Sequence, residues 1–217
     1  MLHFALVSHC AFCILHFALF PLFPGKHIAQ PGSPNLVSVN EKETIYDQIP
    51  PFEDDGILNV IIDTPRGSQN KYVFNHEYGL FKLSGLLPAG HTFPFDFGFI
   101  PGTVNGDDDN IDVLVLTDEP TFVGCWTQCV LIGGYAARQT PRKGTEGYRN
   151  DRLLAVEKHS LAFENVGAIA DLGKTLIEQI EHFYVSYNES KGKKFEVIKM
   201  LDVKEAADLV LKCSISH

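Results

Sequence analysis

"NGDDDNIDVLVL", residues 105–116, is the stretch on which the fold turns. Asn, Gly and Asp favour turns, so its opening reads as a turn. Asp107, Asp108, Asp109 and Asp112 crowd together there, and the apolar run Val113-Leu114-Val115-Leu116 follows at once. A turn feeding a short, continuous apolar segment reads as the entrance to a buried strand. On such a turn Asp107, Asp109 and Asp112 can converge on one point. Carboxylates that close repel strongly unless something neutralises them. Oxygen-only ligands suit Mg²⁺, Mn²⁺ or Ca²⁺ rather than Zn²⁺. Taken alone, the residues fit a solvated acidic turn as well as a metal site. An EF-hand is excluded: counted from Asp107, the positions that need Gly and Glu hold Asp112 and Asp118.

The flanking sequence reads as short strands. "ILNVIID" (57–63) ends at Thr64-Pro65, and "KYVFN" (71–75) with "GLFKL" (79–83) forms a hairpin around His76-Glu77-Tyr78. "HTFPFDFGFIP" (91–101) alternates aromatic with small or polar residues, and its prolines place it at a sheet edge or in a loop. "VGCWTQCVLIGGYAA" (123–137) and "RLLAVE" (152–157) are further strands, with a polar surface loop over 138–151 between them. Helical spacing appears late. Leu172, Leu176, Ile177, Ile180, Phe183, Tyr184 and Tyr187 recur on one face, with Asp171 as the cap and Gly192 as the stop. A second helix, about 203–212, opens with the capping box Asp202-x-x-Glu205. Strands followed by helices indicate an α+β domain, a small barrel with helices packed outside.

The chain has 217 residues, 45 % of them hydrophobic, with 16 Phe, which is ample for one real core. Its net charge of −9 argues against a nucleic-acid partner, because phosphate contacts need a basic face. It leaves room for a small anion held by a few local cations. Five cysteines in a chain this long argue against a disulfide framework, and Cys125 and Cys129 read as core thiols. The first 24 residues contain no Asp, Glu, Lys or Arg. Three readings stay open for them: a signal segment, a membrane anchor that would give membrane contact, or an upstream extension from a misplaced start. Residues 1–35 are set apart from the domain, 36–217, and the domain is expected in the cytoplasm unless that segment exports it.

Several stretches together resemble the soluble inorganic pyrophosphatases. "DDDNIDVLVL" is similar to that family's D-x-D-P-x-D-V-L-V signature, with Asn110 in place of Pro. "IIDTPRGSQNKYVFNHEYGLFKL", "FPFDFGFIPGT", "TEGYRNDRLLAV" and "IEHFYVSYNESKGKKFEV" resemble further family motifs in the same order, from about 57 to 212. The resemblance implies a five-stranded OB-like barrel with flanking C-terminal helices, and hydrolysis of pyrophosphate with Mg²⁺, or Mn²⁺, as cofactor. It implies Asp107, Asp112, Asp63 and the amide of Asn150 at metal positions, with Asp109 deprotonating the attacking water. Lys71, Arg152 and Tyr187 match phosphate-contacting groups. A homo-oligomer, commonly a hexamer in bacterial members, is implied as well.

The sequence also departs from the pattern. Asp63 stands for a Glu, and Val73 for a second Glu. Ser84 and Gly85 lie where the family places an Arg. Phe93 and Phe97 replace tyrosines, Thr145 and Asn150 replace aspartates, Arg152 replaces Lys, and Asn188 replaces a phosphate-binding Lys. Carboxylates and cations are thus lost together, which implies reduced turnover. A relative that binds metal or phosphate without hydrolysis, and a phosphohydrolase with a shifted substrate, are the alternative readings. Lys82, Arg142, Lys143, Lys191 and Lys193 are candidates to replace the missing cations.

Overall fold

The computed structural model describes residues 44–46, 48–105, 109–141, 143 and 146–215. All lie within the compact unit Asn40–His217. The readings of residues 1–35 fall outside the described residues, as does Asp107.

The strands are β1 (Leu58–Thr64), β2 (Asn70–Asn75), β3 (Leu80–Leu86), β4 (Asp96–Ile100), β5 (Ile111–Leu116), β6 (Trp126–Thr140), β7 (Tyr148–Arg149), β8 (Arg152–Glu157) and β9 (Lys194–Leu201). The helices are α1 (Lys174–Ser190), between β8 and β9, and α2 (Val203–Cys213). Five strands pair in a ring, β1–β4–β5–β8–β6 and back to β1. The closing pair spans only Leu58–Ile61 against Trp126–Cys129, while the far end of β6 pairs with β7 and β9. The ring is therefore OB-like without being a strictly closed barrel. β2 and β3 form the expected hairpin as a separate two-stranded sheet.

The apolar run of β5 is continuous because both of its faces are covered. Leu114 and Leu116 belong to one hydrophobic cluster, with Phe93, Phe97, Leu154, Ile180, Phe183 and Tyr184 of the α1 side. Ile111, Val113 and Val115 belong to a second, with Leu58, Val60, Ile100, Leu153, Ala206 and Val210 of the α2 side. The period of two along the strand deals side chains alternately into the two clusters. β5 and β8 run parallel, with Val113 beside Leu153. Extended by one step, that register sets Asp112 beside Arg152.

Four expectations change. The Phe-rich segment is a loop only over 91–95 and is no edge beyond it: β4 is buried throughout and lies between β1 and β5. Pro94 and Pro101 flank the strand, so neither removes a ladder hydrogen bond. The 138–151 stretch is only partly loop, since β6 runs to Thr140 and pairs with β7, and Asn150 and Asp151 are buried. Asp171 does not cap α1. Its carboxylate accepts from the backbone N–H of Gly167 (3.0 Å) and Ala168 (2.9 Å), closing a 3-10 turn, and Gly173 is the N-cap. Last, β9 was not anticipated; its lysines and Glu196 mask a strand whose partner is β6. The capping box of α2 is present, with Glu205 N–H donating to Asp202 Oδ1 at 2.7 Å.

Candidate active site

The strand ends, the hairpin and the C-terminal part of α1 enclose one cleft of about 260 Å³, the size for a small ligand rather than a large one. Asp63, Lys71, Asp109, Asp112, Asn150, Arg152 and Tyr187 all line it, so every sequence-predicted site residue that is described comes to one place.

Asp63, near the end of β1, and Lys71, on β2, meet in a buried pair: Lys71 Nζ donates to both Asp63 oxygens at 2.8 Å. Burial raises the Asp63 pKa, although Lys71 pulls it down; burial lowers that of Lys71, although Asp63 pushes it up. Desolvation outweighs attraction on both sides, the usual balance for a buried ion pair. The ammonium also lies 4.1 Å from the ring centroid of Phe97, one of the positions where the family pattern has tyrosine. Arg152, at the start of β8, donates from Nη1 to Asp112 Oδ2. The neighbouring Asp151 accepts from the Ala137 N–H and from Arg149.

The acidic turn is closed by Asn105 N–H donating to the Asp109 carbonyl at 2.7 Å. Asn110, where the family has Pro, holds the loop by side-chain bonds. Its Nδ2 donates to Thr103 O at 2.6 Å, and its Oδ1 lies 3.0 Å from His76 Nε2. Asn150 Nδ2 donates to Gln139 Oε1 at 3.1 Å, and Gln139 Nε2 donates in turn to Tyr148 OH. That relay uses the amide nitrogen of Asn150 and not its oxygen. Tyr187 stacks its ring on Phe183 and meets Phe93 edge-on, so it is both a packing group and a cleft residue. Burial, opposed by Arg152, pushes its pKa up to about 12.

Among the described residues no group of three or more His, Cys, Asp or Glu side chains is arranged to hold a metal. The carboxylates of Asp63, Asp109 and Asp112 that line the cleft are oxygen donors, the chemistry of Mg²⁺ or Mn²⁺. Of the candidate replacement cations, Lys191 and Lys193 line the cleft; Lys82 and Lys143 do not, and Arg142 is outside the described residues. Sequence reading missed His76, Gln139 and Tyr148. The last two lay in a stretch read as loop, and only the pairing of Gln139 with Tyr148 across β6 and β7 carries them to the cleft.

The family model described as inorganic pyrophosphatase matches residues 60–216. The chain belongs to the inorganic pyrophosphatase family. A relative from Halalkalibacterium halodurans is 34 % identical over 157 residues, covering 72 % of this chain and 93 % of the relative. One from Synechocystis is 32 % identical over 166 residues, covering 76 % and 95 %. The crystal structure of the inorganic pyrophosphatase from Thermus thermophilus superposes with a TM-score of 0.69 at 28 % identity, over 77 % of this chain and 95 % of that one. The Neisseria gonorrhoeae enzyme gives the same TM-score and identity, over 77 % and 96 %. Of the residues that the resemblance singles out, Asp109, Asp112, Lys71, Arg152 and Tyr187 line this cleft. Asn188 also lines the cleft, but it is buried and its Nδ2 donates to the Tyr184 carbonyl at 2.8 Å.

Proposed function

We propose that this protein hydrolyses inorganic pyrophosphate to two phosphates with the help of Mg²⁺, or Mn²⁺. The observation that carries the reading is the joint lining of one small cleft by Asp109, Asp112, Lys71, Arg152 and Tyr187. Lys71, with a third N–H beyond the two given to Asp63, donates to a phosphate oxygen, as do Arg152 and the Tyr187 hydroxyl. Their charge counters the charge that builds as the P–O–P bridge breaks. Asp109, at the mouth of the cleft, accepts the proton of the attacking water. Asp107, Asp112, Asp63 and the Asn150 oxygen would hold the metal, which when bound neutralises phosphate charge and acidifies water.

Phosphate release from pyrophosphate in millimolar Mg²⁺ tests this, and Asp109→Asn is expected to lose about 100-fold or more in kcat. No release by the wild type above buffer would sink the reading. One observation favours a slower or binding-only protein. Asp63 and Asp112 are each engaged by a fixed cation, so metal binding must compete with Lys71 and Arg152. Calorimetry showing phosphate binding without turnover would select that second reading.

A homo-oligomer is part of the proposal, supported by exposed Tyr78, Leu80, Leu83 and Leu86 on the hairpin. So is a single domain over 36–217 in the cytoplasm, supported by free thiols at Cys125, Cys129 and Cys213. No helix among the described residues is long and apolar enough to cross a membrane.

A further inference from the structure

We propose that Lys191 is a phosphate-binding residue of this cleft, presenting its ammonium together with the Tyr187 hydroxyl in the role that position 188 has given up. The inference rests on the reading of the cleft as a pyrophosphate site.

The geometry begins at the end of α1. Lys191 is the C-cap, and Gly192 follows with φ +69°, the left-handed conformation glycine adopts without strain. Gly192 N–H donates to Glu189 O at 2.8 Å, and Lys193 N–H to Asn188 O at 3.0 Å. These are the paired bonds of a Schellman motif, which fixes the direction of the chain as it leaves the helix. The reversal brings both Lys191 and Lys193 to the cleft, beside Lys71 and Arg152. Asn188 meanwhile spends its amide on the helix backbone, where a lysine ammonium could not be buried without a partner.

Lys191 is aimed rather than loose. Its Nζ donates to Tyr187 OH and lies 4.0 Å from the centroid of that ring. The ring is itself locked by Phe93 and Phe183. A hydroxyl that accepts from Lys191 keeps its own proton for an anion oxygen, so the two groups form one donor unit. Lys71, Arg152 and Lys193 face Lys191 across the same small space, and their mutual repulsion is relieved by a multiply charged anion.

The test compares Lys191→Gln, Lys191→Arg and, as a control on the exposed face of β3, Lys82→Gln. Calorimetry with imidodiphosphate and Mg²⁺ reads binding without turnover, and kinetics with pyrophosphate read KM and kcat. Lys191→Gln is expected to weaken imidodiphosphate binding about 10- to 100-fold, the loss of a charge-assisted hydrogen bond. KM should rise by a similar factor while kcat changes by less than about threefold. Lys191→Arg should restore most of the affinity, and Lys82→Gln should match the wild type. Wild-type affinity in Lys191→Gln, an equal loss in Lys82→Gln, or no binding by the wild type would overturn the assignment. Imidodiphosphate binding that depends on Lys191 in a protein that releases no phosphate would leave the assignment standing and remove the hydrolysis reading.

Discussion

Lys71 and Asp63 illustrate how a cleft residue can also hold the fold. Both side chains are more than nine-tenths buried, and each is the direct counter-charge of the other. Removing one strands its partner, so Lys71→Met is expected to cost about 3–5 kcal/mol in urea unfolding. Combining it with Asp63→Asn should recover most of that loss; equal instability of single and double variants would show that the pair is not the cause. Lys191 lends itself to a pH test. Burial first, then the neighbouring Lys71, Lys193 and Arg152, lower its pKa to about 8, against the opposing pull of Asp63, with Tyr187 OH as its direct contact. It is charged below that pH and neutral above. Since the anion binds the charged form, kcat/KM should be full below about pH 8 and fall as pH rises through it. Lys191→Arg, charged throughout, should move that limb to higher pH; an unmoved limb would assign it to another group. Asp109 and Asp112 were legible from their spacing on the turn, and Lys71 only through the family resemblance. Lys191 was visible only as one of several lysines, because its place depends on a helix-end turn that spacing does not report.

Among the elements, β4 shows what the sequence says and what it leaves out. The alternation of Phe95, Phe97 and Phe99 was readable, yet the prolines around it suggested an edge. What permits the central position is Gly98: a Cβ there would lie 2.1 Å from the Ile61 carbonyl oxygen on β1. The paired backbones leave no room for a side chain, and neither strand can move without opening its other ladder, β4–β5 or β1–β6. Gly98→Ala is therefore expected to cost about 3 kcal/mol or more, at the upper end for overpacking. Chemical denaturation reads it directly, and wild-type stability would mean that β1 and β4 yield easily. β5, β8 and α2 were legible almost to the residue, since run length, turn residues and the capping box all agree there. β9 was not, because its exposed face carries Lys194, Glu196 and Lys199, and only pairing with β6 makes the segment a strand.

For the molecule as a whole, an acidic surface surrounds a cleft that gathers cations. The net charge is −9, yet Lys71, Arg152, Lys191 and Lys193 converge where only Asp63, Asp109 and Asp112 are the described counter-charges. Such a cleft draws a small anion that the rest of the surface repels, and binding relieves repulsion already present in the fold. Ligand should therefore stabilise the native state measurably. A ligand bound only by the native state at 100 times its Kd adds about 2.7 kcal/mol. For a domain of this size that is a rise of about 5–10 °C in Tm, at about 2–4 °C per kcal/mol. Scanning fluorimetry with imidodiphosphate and Mg²⁺ should show this shift in the wild type. If Lys191→Gln weakens binding tenfold, the same concentration stands at ten times Kd and the gain falls to about 1.4 kcal/mol, roughly half the shift. A Tm that does not move at ligand concentrations that saturate in calorimetry would mean that the unfolded chain binds as well, and would separate the affinity from the folded cleft.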